Sequence, residues 1–199
     1  MGTITISRQL GSLGSDAARQ AADRLGYRVV WRDELINQAA RRAGTPEVAL
    51  AAIDELRLLE IRPSLKACEA YCQAMQQVME ELAALGNVVI VGRAGQATLH
   101  GRPDVLHVRV IAPAQVRAER VTSRRGIPIA AAQAQVEASD RYRYNYVRRF
   151  YHVRWDDPDL YDMIINTERV TSEAAAELIA QASWHRLQAA SQTPRSEPE

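Results

Sequence analysis

Three groups of residues have types and spacing that could do chemistry. The first is the turn Gln9-Leu10-Gly11-Ser12-Leu13-Gly14, which follows the β-prone run Thr3 to Ser7 and leads into a helical pattern. A glycine-containing turn at a helix N-terminus presents backbone N–H groups and the positive end of the helix dipole, which bind phosphate without any side chain. Ser15 stands where the hydroxyl of a phosphate loop meets Mg²⁺, and it can also cap the helix. The full signature G-x-x-x-x-G-K-[ST] is broken. With Ser15 on its last position, Gly14 falls on the lysine, Leu13 on the second glycine and Arg8 on the first. On its own, such a turn is more often a plain strand-to-helix connection.

The second group is Val91-Gly92-Arg93, at the end of the continuous apolar run Asn87 to Val91. Ligands of open α/β sheets bind at the C-terminal edge of such strands. An arginine there can grip a phosphate with two parallel hydrogen bonds; its other reading is a partner for a nearby Asp or Glu. The third group is the series Arg117, Arg120, Arg124, Arg125, Arg141, Arg143, Arg148 and Arg149, interleaved with Tyr142, Tyr144, Tyr146 and Tyr151. Phosphoryl transfer spreads negative charge over the moving group, and arginines closing on it stabilise that charge. A solvated helix face is the plainer reading of any one of them.

Positioning these groups requires strands that alternate with helices. Strands are expected at Thr3–Ser7, Tyr27–Trp31, Asn87–Val91, Val105–Ile111 and Asp162–Asn166. A helix runs from Ser15 through Ala17, Ala18, Ala21, Ala22 and Leu25 to Gly26. Another runs from Leu35 to Ala43, and residues 46 to 85 read as helical with a break at Pro63. Pro113 to Val121 starts a helix, Arg124 to Phe150 is helical, and Thr171 or Ser172 caps the last one. This alternation predicts a parallel sheet covered on both faces. Residues 1–190 are expected to form a single domain, and the polar, Pro-containing residues 191–199 a disordered tail.

Composition narrows the function classes. The chain has 199 residues, enough for one full core, and a net charge of +1, which argues against a broad nucleic-acid surface or membrane attraction. No segment reads as a membrane span or leader, so a soluble, reducing, cytoplasmic setting is expected. Lys66 is the sole lysine, so chemistry usually done by lysine falls to other residues. Cys68 and Cys72 lie on one helix face and read as small core residues, since no His pair completes a zinc site.

Several blocks together resemble the cytidylate kinase-like family. Ile4 to Gln9 with Gly11 to Gly14 is similar to its opening "ITISR…GSGG", and Trp31 to Ile36 to its "YDKELI". Gly86 to Arg93 is similar to its "GN.VIVGR" strand. Trp155 to Pro158 and Tyr161 to Thr167 resemble its "W.DP..YD..INT" ending. The blocks occur in order and cover Thr3 to about Ile179.

The resemblance implies an α/β fold of the P-loop kinase type: three layers, a central parallel sheet, a helical acceptor-binding insertion and an arginine-rich lid. It implies transfer of the ATP γ-phosphate, with Mg²⁺, to a nucleoside monophosphate such as CMP or dCMP. A catalytically weak nucleotide-binding regulator and a kinase for another small acceptor are the alternatives. Gly11, Ser12, Leu13, Gly14 and Ser15 would hold the donor, Ser15 also the metal. Asp33, Arg93, Asp140 and Arg141 would meet the acceptor, and Arg93, Arg120, Arg124 and Arg141 would serve catalysis. Residues 46 to 85 would line the acceptor pocket and are a candidate homo-oligomer surface. The sequence departs from the family at Ser15, where relatives often carry arginine. Ala94 follows Arg93 where true cytidylate kinases have aspartate, and Arg32 occupies the usual place of the second-strand aspartate unless Asp33 replaces it.

Overall fold

The alternation of strand β1 (Thr3–Arg8) decides the centre of the molecule, because both of its faces are buried. The computed structural model describes residues 2–46 and 64–192. Strands β2 (Arg28–Val30), β3 (Val88–Val91), β4 (Val105–Ile111) and β5 (Met163–Asn166) complete a sheet of order β2-β3-β1-β4-β5, parallel throughout. Near-continuous Val and Ile runs suit strands covered on both sides.

On one face, Ile4, Ile6, Val89, Val91, Val108 and Val110 meet α1 (Gly14–Leu25) and α7 (Ser172–Gln192). Ala17, Ala18, Ala21 and Ala22 are fully buried there, and their small side chains bring α1 close to the sheet. On the other face, Val30, Val88, Ile90 and Val105 pack under α2 (Arg32–Ala43) and α3 (Leu65–Leu85). Each Ile or Val so buried contributes roughly 1.5–3 kcal/mol relative to exposure. Thr5 of β1 also faces this second layer, and its hydroxyl is satisfied by His107 Nδ1 at 2.7 Å. Cys68 and Cys72 of α3 are free thiols, and burial pushes Cys72 up to about 11, as expected of inert core residues.

The remaining helices stand over the C-terminal edge of the sheet. The single-turn α4 (Gly95–Thr98) follows β3, while α5 (Ala114–Arg125) and α6 (Ile129–Tyr151) form a hairpin. Ala118, Val121, Ala132 and Val136 join the hairpin, with Leu10 of the first turn packed beneath them. This hairpin carries the expected arginine-rich lid. Residues 47–63 of the expected helical insertion lie outside the described residues.

Three local expectations are corrected. Ser15 does not cap α1; the capping position is Leu13, with φ +59°, and the helix starts at Gly14. Arg124 and Arg125 end α5 rather than open the next helix, because Gly126 terminates the one and Pro128 precedes the other. The last helix continues to Gln192, two residues into the expected tail, and residues 193–199 lie outside the description. Its cap is Thr171, whose Oγ1 accepts from the Ala174 amide at 3.2 Å. Among the described residues, no helix is long and apolar enough to cross a membrane.

Candidate functional site

Where β1 leaves the sheet, the chain makes a tight turn whose carbonyls are tied away from the cleft. Ser12 Oγ donates to the Gln9 carbonyl at 2.9 Å, so this fully buried hydroxyl is spent inside the turn. Thr167 Oγ1 donates to the Ser12 carbonyl at 2.7 Å, and Arg120 donates to Gly11 O at 3.4 Å and Thr167 O at 2.6 Å. Gly11 has φ +78°, and a Cβ there would stand 2.6 Å from the Arg117 carbonyl; glycine is required on both counts. The first amides of α1, at Gly14 and Ser15, have no intrahelical acceptor, and both residues line the cleft.

Arg117 braces this turn from behind. Its buried guanidinium donates to Ala112 O at 2.8 Å and Leu10 O at 3.4 Å. It also makes a two-pronged pair with Asp140 at 3.2 and 2.8 Å. A kcal-scale cost follows from removing either partner, since the other is left partly desolvated.

The cleft in front of the turn has a volume of about 870 Å³, the size of a small-molecule site. A smaller pocket adjoins it behind β3, and Arg8, Arg32 and Arg143 line both. The Arg8 guanidinium makes no hydrogen bond or ion pair among the described residues. Desolvation and the neighbouring Arg143, Arg32 and Arg93 push it down to about 9, with Asp33 partly opposing them. Arg143 is pushed down to about 10, first by burial, then by Arg32 and Arg117 against the pull of Asp140. Guanidiniums crowded this way await an anion.

Arg93 sits in the smaller pocket. It is 5% exposed, lies 3.8 Å from the Tyr146 ring centroid, and has Nε and Nη2 without hydrogen-bond partners. Burial works against its charge, while Tyr146, Tyr71 and Tyr142 favour it, and the net direction is upward. The backbone around it is strained: Gly92, Arg93 and Ala94 have φ of +89°, +53° and +59°. Non-glycine residues in this region cost of order 1–3 kcal/mol each and cluster at functional sites.

One cleft therefore gathers Gly11, Leu13, Gly14, Ser15, Asp33, Arg120 and Arg124 from three separate stretches. The other expected residues fall elsewhere. Ser12 turns inward, Arg93 lines the adjoining pocket, and Asp140 is held by Arg117 outside both. Arg141 is exposed and lines neither. Arg120 spends its guanidinium on the turn, and Arg124 pairs with Asp16 at 2.8 Å on the surface.

The family model of the cytidylate kinase-like family matches residues 3–169. The chain belongs to this family. A cytidylate kinase of Methanocella arvoryzae is 25% identical over 181 residues, covering 90% of this chain and 95% of its own length. A solved structure of a Eubacterium ventriosum protein superimposes with a TM-score of 0.70 at 18% identity, covering 92% of this chain and 98% of that one. A gluconokinase from Sinorhizobium meliloti gives 0.51 at 16% identity over 93% and 97% of the two chains. The fold is that of the P-loop kinases.

Within this cytidylate kinase-like fold, the donor set suits a magnesium-bound polyphosphate. Ser15 and Asp33 bring hard oxygen atoms to the cleft, the Asp33 carboxylate pairing with Arg32 Nε at 3.0 Å, and phosphates with water would supply the rest of an octahedron. Among the described residues no group of three acidic, His or Cys side chains forms a cage of its own. The unpartnered Arg93 and Arg143 nitrogens match the anionic half of such a ligand. Sequence reasoning passed over Arg8 as a site residue. Its signal was present, an arginine on the first glycine of the broken signature, but nothing in one dimension says where that side chain points.

Proposed function

We propose that the protein transfers the γ-phosphate of ATP, with Mg²⁺, to a nucleoside monophosphate, with CMP or dCMP as acceptor. The observation that carries this reading is the carboxylate-poor arginine cluster between the phosphate-loop turn and the β3 Gly92-Arg93 turn. The family membership supports a nucleotide acceptor.

The amides of Gly14 and Ser15 bind the donor phosphates; Ser15, with Asp33 once released from its pair with Arg32, would hold Mg²⁺, which would neutralise charge on the polyphosphate. Arg93 grips the acceptor phosphate, and Tyr146 keeps that guanidinium desolvated. An acceptor phosphate oxygen forms a bond to the γ-phosphorus while the bond to the β,γ-bridging oxygen breaks. That oxygen leaves with the electron pair as part of ADP. No general base is required, because the acceptor phosphate is already anionic. Arg124 reaches the donor once its exposed pair with Asp16 opens, an exchange that costs about 1 kcal/mol or less. Arg120 acts by positioning Gly11 and Thr167. Arg141 is given no part.

The test is ADP release from Mg-ATP, measured against the common nucleoside monophosphates. Release dependent on CMP or dCMP is expected. Folded protein that releases no ADP with any acceptor would refute the reading and leave a nucleotide binder without turnover.

A further inference from the structure

The phosphate-loop lysine is missing, and the structure shows why it cannot simply be restored. A Cβ on Gly14 would lie 2.6 Å from Arg8 Cβ, 3.3 Å from Arg8 Cγ and 3.0 Å from Val110 Cβ. The space in which a lysine side chain would start is filled by the stem of Arg8. From there Arg8 runs toward the tip of β3: a Cβ on Gly92 would collide with its Nη1 and lie 3.4 Å from Cζ. Gly14 and Gly92 are thus the two walls of a channel that the Arg8 side chain occupies. Its head ends between the turn that faces the donor and the Gly92-Arg93 turn, in the partition shared by the two cavities.

We propose that Arg8 replaces the lysine from the opposite end of the loop, its guanidinium contacting the phosphoryl group as it passes from donor to acceptor. This rests on the phosphotransferase reading above. As the acceptor oxygen bonds to the γ-phosphorus and the bridging oxygen departs with its electron pair on ADP, negative charge spreads over the equatorial oxygens. Arg8 offers those oxygens two N–H donors from a channel that holds it without a competing carboxylate pair. A guanidinium is longer and wider than an ammonium, which explains why it starts from the strand rather than the helix.

The proposal is tested with Arg8→Ala, first shown to melt like the wild type, and with Gly14→Lys and the double variant Arg8→Gly with Gly14→Lys, whose melting is followed alongside because Val110 Cβ stands 3.0 Å from the new Cβ in both. Turnover and the affinities for Mg-ATP and Mg-ADP are measured on all of them. Arg8→Ala is expected to lower kcat by about 10²–10³-fold, the scale of one transition-state donor. It should weaken Mg-ATP by about 10-fold or more while leaving Mg-ADP, which lacks the transferred group, nearly unchanged. Gly14→Lys alone should be as impaired as Arg8→Ala, and the double variant should regain at least about 10-fold over it, because removing one side chain admits the other.

Wild-type turnover in Arg8→Ala would overturn the proposal. So would equal weakening of Mg-ATP and Mg-ADP, or a well-folded double variant no better than Gly14→Lys alone. Should the wild type transfer to no acceptor, the phosphotransferase reading falls first. The ATP-against-ADP comparison still decides the contact to the terminal phosphate.

Discussion

Arg93 shows how much one residue can be held for a task. Its guanidinium is stacked on Tyr146, two of its nitrogens have no partner, and its backbone is left-handed. Burying an unsatisfied cation is costly unless an anion completes it. Arg93→Ala is expected to raise the acceptor KM by about 10- to 100-fold, the worth of a charge-assisted contact, with a much smaller change in the ATP KM. Steady-state kinetics varying each substrate in turn reads this directly. Equal changes in both constants, or in neither, would remove Arg93 from the acceptor phosphate.

At the scale of elements, the α5–α6 hairpin and the first turn form a unit through Arg117, Asp140, Gln9 and Leu10. Gln9 Oε1 accepts from the Ala112 amide at 3.1 Å, and Arg117 ties Leu10, Ala112 and Asp140 together. Asp140→Asn is expected to cost about 2 kcal/mol, below the 3–5 of a fully buried pair because Asp140 keeps 27% of its side-chain surface in solvent. For a chain of this size, melting should fall by about 4–8 °C. Pairing Arg117→Met with Asp140→Leu should restore much of that loss, since no charge is then left unpaired. Differential scanning calorimetry of the two variants against the wild type checks it; a double variant less stable than Asp140→Asn would mean that the Arg117 bonds to Ala112 O and Leu10 O, and not only the orphaned charge, hold the turn.

Across the whole molecule, a net charge of +1 conceals a local concentration of positive charge. At the sheet edge Arg143, Arg32 and Arg93 disfavour the charge on Arg8, and Arg32 and Arg117 that on Arg143, and the unliganded protein carries this as lost stability. An anion that binds only the folded state relieves it. Saturating tripolyphosphate at about 100 times its dissociation constant should add about 2.7 kcal/mol, equivalent to about 5–10 °C in Tm. The gain should shrink as salt shortens the Debye length. A Tm indifferent to tripolyphosphate at low salt would argue against an anion site in the cleft.

The alternation of apolar runs and glycine-punctuated helices was sufficient for the parallel sheet, its two covered faces and the turn after β1, because strand and helix periods are local properties of sequence. The Gly92-Arg93 turn was legible for the same reason, at the end of the most apolar strand. The ends of elements were less so: Ser15 looked like a cap until Leu13 took the left-handed position, and the break at Gly126 to Pro128 was read through. Side-chain partners were decided only by the tertiary structure. Asp140 and Arg117, 23 residues apart, pair with each other rather than with a ligand. Arg120 turns to Thr167, and Arg8 threads between Gly14 and Gly92. Residue type sets what a guanidinium can bind, but reach and burial are three-dimensional, and they decide which of many arginines is left without a carboxylate.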